Sequence, residues 1–375
     1  LMKNKIHNYD FLIIGAGLLG SLTALHLINK KYKVLVIDKN QEFIKDDRTL
    51  AVNANSKDFL IKLGLWGKFH SKPESISKII INDDYLNPPL TFKNPKEDLG
   101  NVVINQELLV ESRKQLNKKK KLITNVNFQI SDISPYKKMT IKNKNYSFKK
   151  IILALGKKYQ DETIIKKYIF SGDHISYVGF FKHSENHLQT AYEKFTFDGP
   201  LAVLPAPDKS KKKSTFIYSS KNKISKPELF KLIKKNFNQT HGNIKFEKKI
   251  SQFEILPHWS KEKFNNYILI GDMLRSIHPV AGQGWNLGIK DIQCLSNILD
   301  TYSIQDPDLI NKYYSQRNIE NLSYLTFTSS LNLLYENKNI FNKFLIKSAF
   351  KILGNIDFLK NTFIKQAMGR SNLVG

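Results

Sequence analysis

The chain has 375 residues, 41% of them hydrophobic, enough to bury one large core or two that share an interface. Lys and Arg number 59 against 33 Asp and Glu, a formal charge of +26 that fits an anionic partner, although low-GC codon usage alone also produces such a lysine-rich composition. The single cysteine, Cys294, excludes an internal disulfide framework and a cysteine-rich zinc site. No window reaches the roughly 18 consecutive apolar residues of a membrane span, so a cytoplasmic protein is expected, neither secreted nor threaded through a bilayer.

Residues 9–14 are a short apolar run that ends abruptly in glycine, the pattern of a strand buried on both faces. Gly15-Ala16-Gly17-Leu18-Leu19-Gly20 follows, and residues 21–30 place Leu22, Leu25, His26 and Ile28 at the spacing of a helix packed on a sheet. A second strand, 34–37, ends at Asp38. In this order the glycines have separate tasks: Gly15 permits the tight turn, Gly17 lets backbone approach a pyrophosphate, and Gly20 allows helix to close on strand. The helix N-terminus then offers free N–H groups to the phosphates, and Asp38 accepts the hydroxyls of an adenosine ribose. Such a unit binds a dinucleotide and leaves NAD and FAD open, because both carry an ADP half.

Further along, the polar, Asn- and Pro-rich stretches 82–95 and 207–214 suit loops and hairpins, 151–154 is another apolar strand, and 214–218 alternates with the period of a sheet. Residues 267–270 form a buried strand that runs into Gly271 and Asp272. Glycines on both sides of Gln283 suit a backbone pressed against a ligand, and the helix that follows, with Asp291, Leu295 and Ile298, presents its N-terminus to a second negative charge. Over 340–353, Ile340, Phe341, Phe344, Leu345, Ala349, Ile352 and Leu353 share one side of a helix while Lys343, Lys347 and Lys351 share another. This basic amphipathic helix suits either packing on its own domain or peripheral contact with the inner face of the cell membrane. No internal repeat is present.

The block from Gly271-Asp272 to Gly288 resembles the second FAD-contacting motif of group A flavin monooxygenases. Residues 46–52, which include Arg48, together with 191–205 and the C-terminal Ala367-Met368-Gly369, are similar to segments of the ubiquinone-biosynthesis FAD-dependent hydroxylase family within that group. The resemblance runs from Tyr9 to Gly369. It implies an α/β fold in which a discontinuous Rossmann-type FAD-binding domain (1–75, 99–165 and 262–305) carries an inserted mixed-sheet substrate domain (76–98 and 166–261) and a helical C-terminal region (306–375). It implies further that Asp272 holds the ribityl chain and that Pro279 and Gly282-Gln283-Gly284 lie along the isoalloxazine. Gly15, Ala16, Gly17, Leu18, Leu19, Gly20, Asp38, Lys39, Arg48, Gln106 and Asn286 complete the expected FAD site.

The activity implied is hydroxylation of the aromatic ring of a polyprenyl-phenol intermediate in ubiquinone biosynthesis, with molecular oxygen as cosubstrate and a flavin C4a-hydroperoxide as oxygen donor. No catalytic side chain is then required. The partners implied are that substrate, a ubiquinone-biosynthesis complex and peripheral membrane, with no nucleic acid. His278, beside Pro279, is read first as a packing or hydrogen-bonding residue, and the other histidines lack metal-ligand spacing, so no metal site is expected. One departure from the family concerns the reductant. Where most members carry an Asp-Gly motif followed by a Ser and an Arg, this chain has Leu155-Gly156-Lys157-Lys158, with no Arg evident and a Lys pair that suits solvent or a nicotinamide pyrophosphate, so NAD(P)H and an electron-transfer partner remain open. A FAD-dependent reductase of a lipid substrate and a non-catalytic component of a membrane-associated biosynthetic complex would share the same FAD site.

Overall fold

A computed structural model describes residues 5–41, 48–83, 88–157, 159, 161–170, 174–196, 198–277, 283–336, 348 and 357–370. Nineteen strands, β1 to β19, and seven α-helices, α1 to α7, lie among them. At the centre of the first sheet is β1 (Ile6–Ile14), flanked in parallel by β2 (Val34–Ile37) and β10 (Lys144–Leu153). The sheet continues in parallel to β8 (Leu122–Ile123) beyond β2 and β18 (Tyr267–Leu269) beyond β10, and β9 (Met139–Ile141) pairs antiparallel with the start of β10. Every residue of β2 and the last four of β1 are buried, as a parallel sheet covered on both faces requires.

The first helix, α1 (Leu18–Asn29), starts earlier than the apolar periodicity from Ser21 indicates. Its N-cap is Gly17, and the Ser21 N–H donates to the Gly17 carbonyl at 2.9 Å. The free donors of the first turn therefore belong to the glycine motif itself.

The second large sheet is mixed. It runs β16 (Ile244–Ile255), β12 (His174–His183), β15 (Lys213–Ser220), β14 (Gly199–Pro205), β13 (Thr190–Thr196), β5 (Lys78–Asp83), β6 (Leu90–Lys93), and only β13 and β5 pair in parallel. One face is covered by α4 (Lys226–His241), which opens with a Ser225/Glu228 capping box and buries Leu229, Ile233 and Phe237 against Tyr177, Phe181, Phe216 and Tyr218. Ser176 pairs with both Ser219 and Phe253, so these side chains point to the opposite face, toward the first sheet.

Two small sheets join the halves. In one, β7 (Gly100–Ile104) lies between β3 (Thr49–Asn53) and β4 (Glu74–Ile76), with α2 (Ala54–Lys62) and α3 (Asn105–Lys118) following β3 and β7. In the other, β17 (His258–Glu262) lies between β11 (Ile165–Ile169) and β19 (Arg275–Ser276).

The C-terminal helices are anchored to both halves. From α6 (Leu309–Glu336), the Tyr313 hydroxyl donates to the Leu269 carbonyl and that of Tyr314 to the Tyr267 carbonyl, both at 2.8 Å. Ile364 of α7 (Asp357–Ala367) and Met368 just beyond it bury against Ala54, Ile76, Phe92 and Val102. The amphipathic stretch 340–353 falls, apart from Ser348, outside the described residues.

Candidate functional site: a dinucleotide cleft

The glycine motif makes a tight cradle on one side and open space on the other. Gly15 has φ +104°, and a Cβ there would come within 2.6 Å of the Ala154 carbonyl oxygen, while one at Gly20 would overlap the Gly15 carbonyl. Both positions are closed to any side chain. A Cβ at Gly17 would meet nothing within 4 Å, and no side chain caps this helix end. An unfilled volume bounded by uncapped N–H groups and the positive end of a helix is what a pyrophosphate needs.

Leu19 brings the second motif to the first. A Cβ at Gly271 or at Gly288 of α5 (Gln283–Thr301) would overlap the Leu19 side chain, so that leucine is wedged between the strand-to-helix turn after β18 and the body of α5. Gly271, at φ +66°, also needs the left-handed conformation glycine tolerates. Beside it Asp272 is solvent-exposed, yet enough protein lies around it for desolvation to act on its carboxyl. Burial raises its carboxyl pKa, and Arg275, Lys157, His258 and Arg48 oppose that rise by attraction. These neighbours share one site with it.

Asp38 stands at the end of β2, half-buried, accepting from Ala16 N–H at 2.6 Å and Asn40 N–H at 2.8 Å. A carboxylate offers about four acceptor directions, so two remain for ribose hydroxyls. Lys39 is exposed, with Nζ 5.2 Å from the Phe128 ring. Arg48 is exposed, its guanidinium 4.3 Å from the Phe253 ring on the cleft-facing side of the mixed sheet. Its carbonyl accepts from Asn105 N–H at 2.9 Å, which sets it beside Gln106 in the first turn of α3.

Asn286 ties two elements together. It is 3% exposed; its amide oxygen accepts from Asn53 N–H at 3.1 Å and its NH2 donates to the Ala51 carbonyl at 2.9 Å, tying α5 to β3. Leu18 opens α1 and packs on the first-sheet core. A Cβ at Gly284 would make only one ordinary contact, 3.9 Å to Ile277, so the first turn of α5 is also roomy. His278, Pro279 and Gly282 lie outside the described residues, as does the side chain of Gln283.

In the departing motif, Leu155 packs on the first-sheet core and Gly156 has φ +73°. Lys157 donates through Nζ to the Glu254 carbonyl, binding the two halves together, and Lys158 is outside the described residues.

Two features escaped the sequence reading. Asp291, fully buried, accepts from Gly271 N–H at 2.9 Å, Arg275 Nη1 at 2.6 Å and Arg317 Nε at 2.8 Å. Glu320 pairs with both Arg317 and Lys290, closing a buried network directly under the turn that carries Asp272. Burial would lower the Arg317 pKa, but Asp291 and Glu320 outweigh it and hold the guanidinium charged. An acid inside the apolar stripe Leu287, Leu295, Ile298 was the available signal. The other feature is His258, buried beside Asp272, its pKa lowered chiefly by desolvation. A pocket of about 430 Å³ lined by Asp198, Lys223, Lys231 and Lys235 lies on the α4 side of the mixed sheet, away from this cleft.

Residues 8–125 match the family model described as FAD binding domain, and residues 206–365 that described as squalene epoxidase. The chain is 22% identical over 389 residues to ubiquinone hydroxylase UbiM of Neisseria meningitidis, covering 96% of this chain and 84% of that protein. It is 24% identical over 403 residues to ubiquinone hydroxylase UbiL of Rhodospirillum rubrum, covering 97% and 90%. The crystal structure of p-nitrophenol 4-monooxygenase from Pseudomonas putida superposes with a TM-score of 0.76 at 13% identity, covering 98% of this chain and 100% of that one, a likeness of fold. The chain is thus similar over nearly its whole length to ubiquinone-biosynthesis FAD-dependent hydroxylases, and its residues 8–125 match an FAD-binding domain.

Proposed function

We propose that this protein binds FAD noncovalently and hydroxylates the aromatic ring of a polyprenyl-phenol in ubiquinone biosynthesis. The observation that carries the reading is the convergence of the open space at Gly17, the Asp38 carboxylate and the exposed Asp272 on one cleft roofed by the mixed sheet. FAD, when bound, supplies the oxygen-activating redox chemistry.

The chain's own groups have defined tasks. The N–H groups of Leu18, Leu19 and Gly20 face the pyrophosphate, and Asp38 accepts ribose hydroxyls. Asp272 accepts from the ribityl chain, with its turn fixed from below by Asp291. Phe253, Ser176 and Ser219 on the inner face of the mixed sheet close the cleft over Arg48 and Lys157 and limit water around the reacting ring.

We assign the cofactor site to Gly15–Gly20, Asp38, Arg48, Gln106 and Asp272, and place segments 1–75, 99–165 and 262–305 in the FAD-binding domain, with 76–98 and 166–261 as the substrate domain and 306–375 as the C-terminal helical region. A membrane-bound or multi-enzyme setting at the inner face of the cell membrane is part of the same proposal, supported by the lipid character of such a substrate. The match of residues 206–365 to the squalene epoxidase model favours, as a second reading, oxygen insertion into an isoprenoid double bond. Purified holoprotein given a prenylated phenol and a reductant separates the two. A new phenolic hydroxyl in the product supports the first, an oxirane on the tail supports the second, and oxygen-independent reduction of the substrate contradicts both.

A further inference from the structure

Next to the last described residue before the expected flavin-facing turn lies a small apolar cluster. Ile277, Leu287 and Leu325 are buried there, and Phe170 and Trp259 pack on them half-buried. The cluster does not end inside the protein. Trp259 stacks on Tyr168 across the β11–β17 pair, with centroids 5.1 Å apart and an interplanar angle of 25°, and donates through Nε1 to Asn318 of α6 at 3.2 Å. One turn along α6 from Asn318 stands Leu322, 50% exposed, beside Ile319 at 58%, and Tyr168 itself is 36% exposed.

Large apolar side chains grouped at a surface mark an interaction site more often than scattered ones do. Lys166 and Lys261 face each other across β11–β17 on the same side as Tyr168 and Trp259, both exposed, and Lys166 Nζ sits 5.0 Å over the Tyr168 ring. We infer that this ledge, formed by Tyr168, Trp259, Ile319 and Leu322 with Lys166 and Lys261 at its rim, docks on an anionic lipid surface and admits the substrate's isoprenoid tail.

The chemistry selects a bilayer. Tyr and Trp rings sit at the headgroup level, aliphatic side chains beside them insert, and lysines meet anionic headgroups. The apolar cluster behind the ledge, with Ile277, Leu287, Phe170 and Trp259, offers the tail apolar side chains rather than polar ones next to the surface. No helix among the described residues is long and apolar enough to cross a membrane, so this contact is peripheral. The inference rests on the proposed lipid substrate, and the test separates the two.

Wild-type holoprotein is co-sedimented with vesicles of phosphatidylcholine alone or containing phosphatidylglycerol, beside I319D/L322D and K166E/K261E. All four positions are exposed, so bound FAD and thermal midpoint should match wild type. I319D/L322D should lose at least tenfold in partitioning to either vesicle. K166E/K261E should lose at least about thirtyfold on anionic vesicles, since each lysine near such a surface contributes about 1 kcal/mol and each glutamate adds repulsion, and little on neutral ones. Both variants should still hydroxylate a short-tailed soluble phenol as wild type does, and fail only on long-tailed substrate held in vesicles. Absence of wild-type binding to either vesicle, or equal binding by all three proteins, overturns the ledge. Retained vesicle binding by both variants with lost electron acceptance from a donor protein also overturns it and reassigns the surface to that protein. Failure of wild type on the soluble phenol counts against the hydroxylase reading alone, because partitioning is read independently.

Discussion

Replacing Asp291 by Asn tests whether the buried network holds the cofactor turn. The side chain is 0% exposed and accepts three hydrogen bonds, from Gly271 N–H at 2.9 Å, Arg275 Nη1 at 2.6 Å and Arg317 Nε at 2.8 Å. An Asn keeps the shape but removes the charge and turns one acceptor into a donor that faces a guanidinium. Arg317 retains Glu320 and Asn321, whereas the Nε and Nη2 of Arg275 have no hydrogen-bond partner even in the native arrangement. Most of the cost therefore falls on Arg275. Breaking a buried pair in this way costs about 3–5 kcal/mol. Removing the stranded cation as well should recover part of it, so D291N/R275M should be more stable than the sum of the single changes predicts by at least about 1.5 kcal/mol. Urea unfolding of the apoprotein, followed by circular dichroism, measures both quantities. FAD affinity should fall in D291N because Gly271 loses its anchor. A D291N cost below about 1 kcal/mol, or strict additivity in the double variant, would refute the reasoning.

The glycines separate packing from ligand room: Gly20→Ala should destabilise the apoprotein by roughly 1–3 kcal/mol through overlap with backbone, while Gly17→Ala should leave apoprotein stability nearly unchanged yet weaken FAD at least tenfold, as measured by thermal unfolding and flavin fluorescence. Asp272→Ala should reduce FAD retention by about 1.5–3 kcal/mol, and equal flavin content after dialysis would count against its assignment. Desolvation first, and then mutual repulsion among His183, His187 and His241, lower the pKa of His187 to about 4 and of His241 to about 3. Their unfolded pKa lies near 6.5, so the unfolded state binds more protons between these limits and stability falls as pH drops below 6.5. At pH 5 the loss should be about 2 kcal/mol per histidine, and a flat urea midpoint from pH 7 to 5 would contradict it. Because Leu155 replaces the family's Asp and Lys157 is engaged by the Glu254 carbonyl, NADPH alone should reduce bound FAD slowly under anaerobic stopped flow. Rapid bleaching would show the cofactor to be read elsewhere on the surface.

What was legible in the sequence was what is local. The β1 strand, Gly15 to Gly20, α1, β2 and Asp38 are contiguous, so strand burial, turn, helix start and acid can be read in order. Even there the start of α1 was placed too late, since apolar periodicity is silent about a first turn that begins within the glycine motif. Asp272 stood out only through the family resemblance of the glycine-rich block that follows it. The wedge of Leu19 between Gly271 and Gly288 was not legible, because it needs residues about 250 positions apart to meet, and glycine shows no sign of what fills its missing Cβ. Nor could the sequence show that the Asn286 amide reaches Asn53 and Ala51, more than 230 positions away. The joining sheets built from β3, β4 and β7 and from β11, β17 and β19 pair strands of two to five residues, too short for alternation to announce them.

The most direct test of the central claim is isotopic. Holoprotein is incubated with a short-tailed prenylated phenol, a reductant and oxygen-18 gas, and the product is analysed by mass spectrometry. The account predicts a ring-hydroxylated product carrying one labelled oxygen atom, formed only when FAD is bound and lost in Gly17→Ala at limiting FAD. Product without the label, label found on the isoprenoid tail, or turnover undiminished by removal of FAD would contradict it.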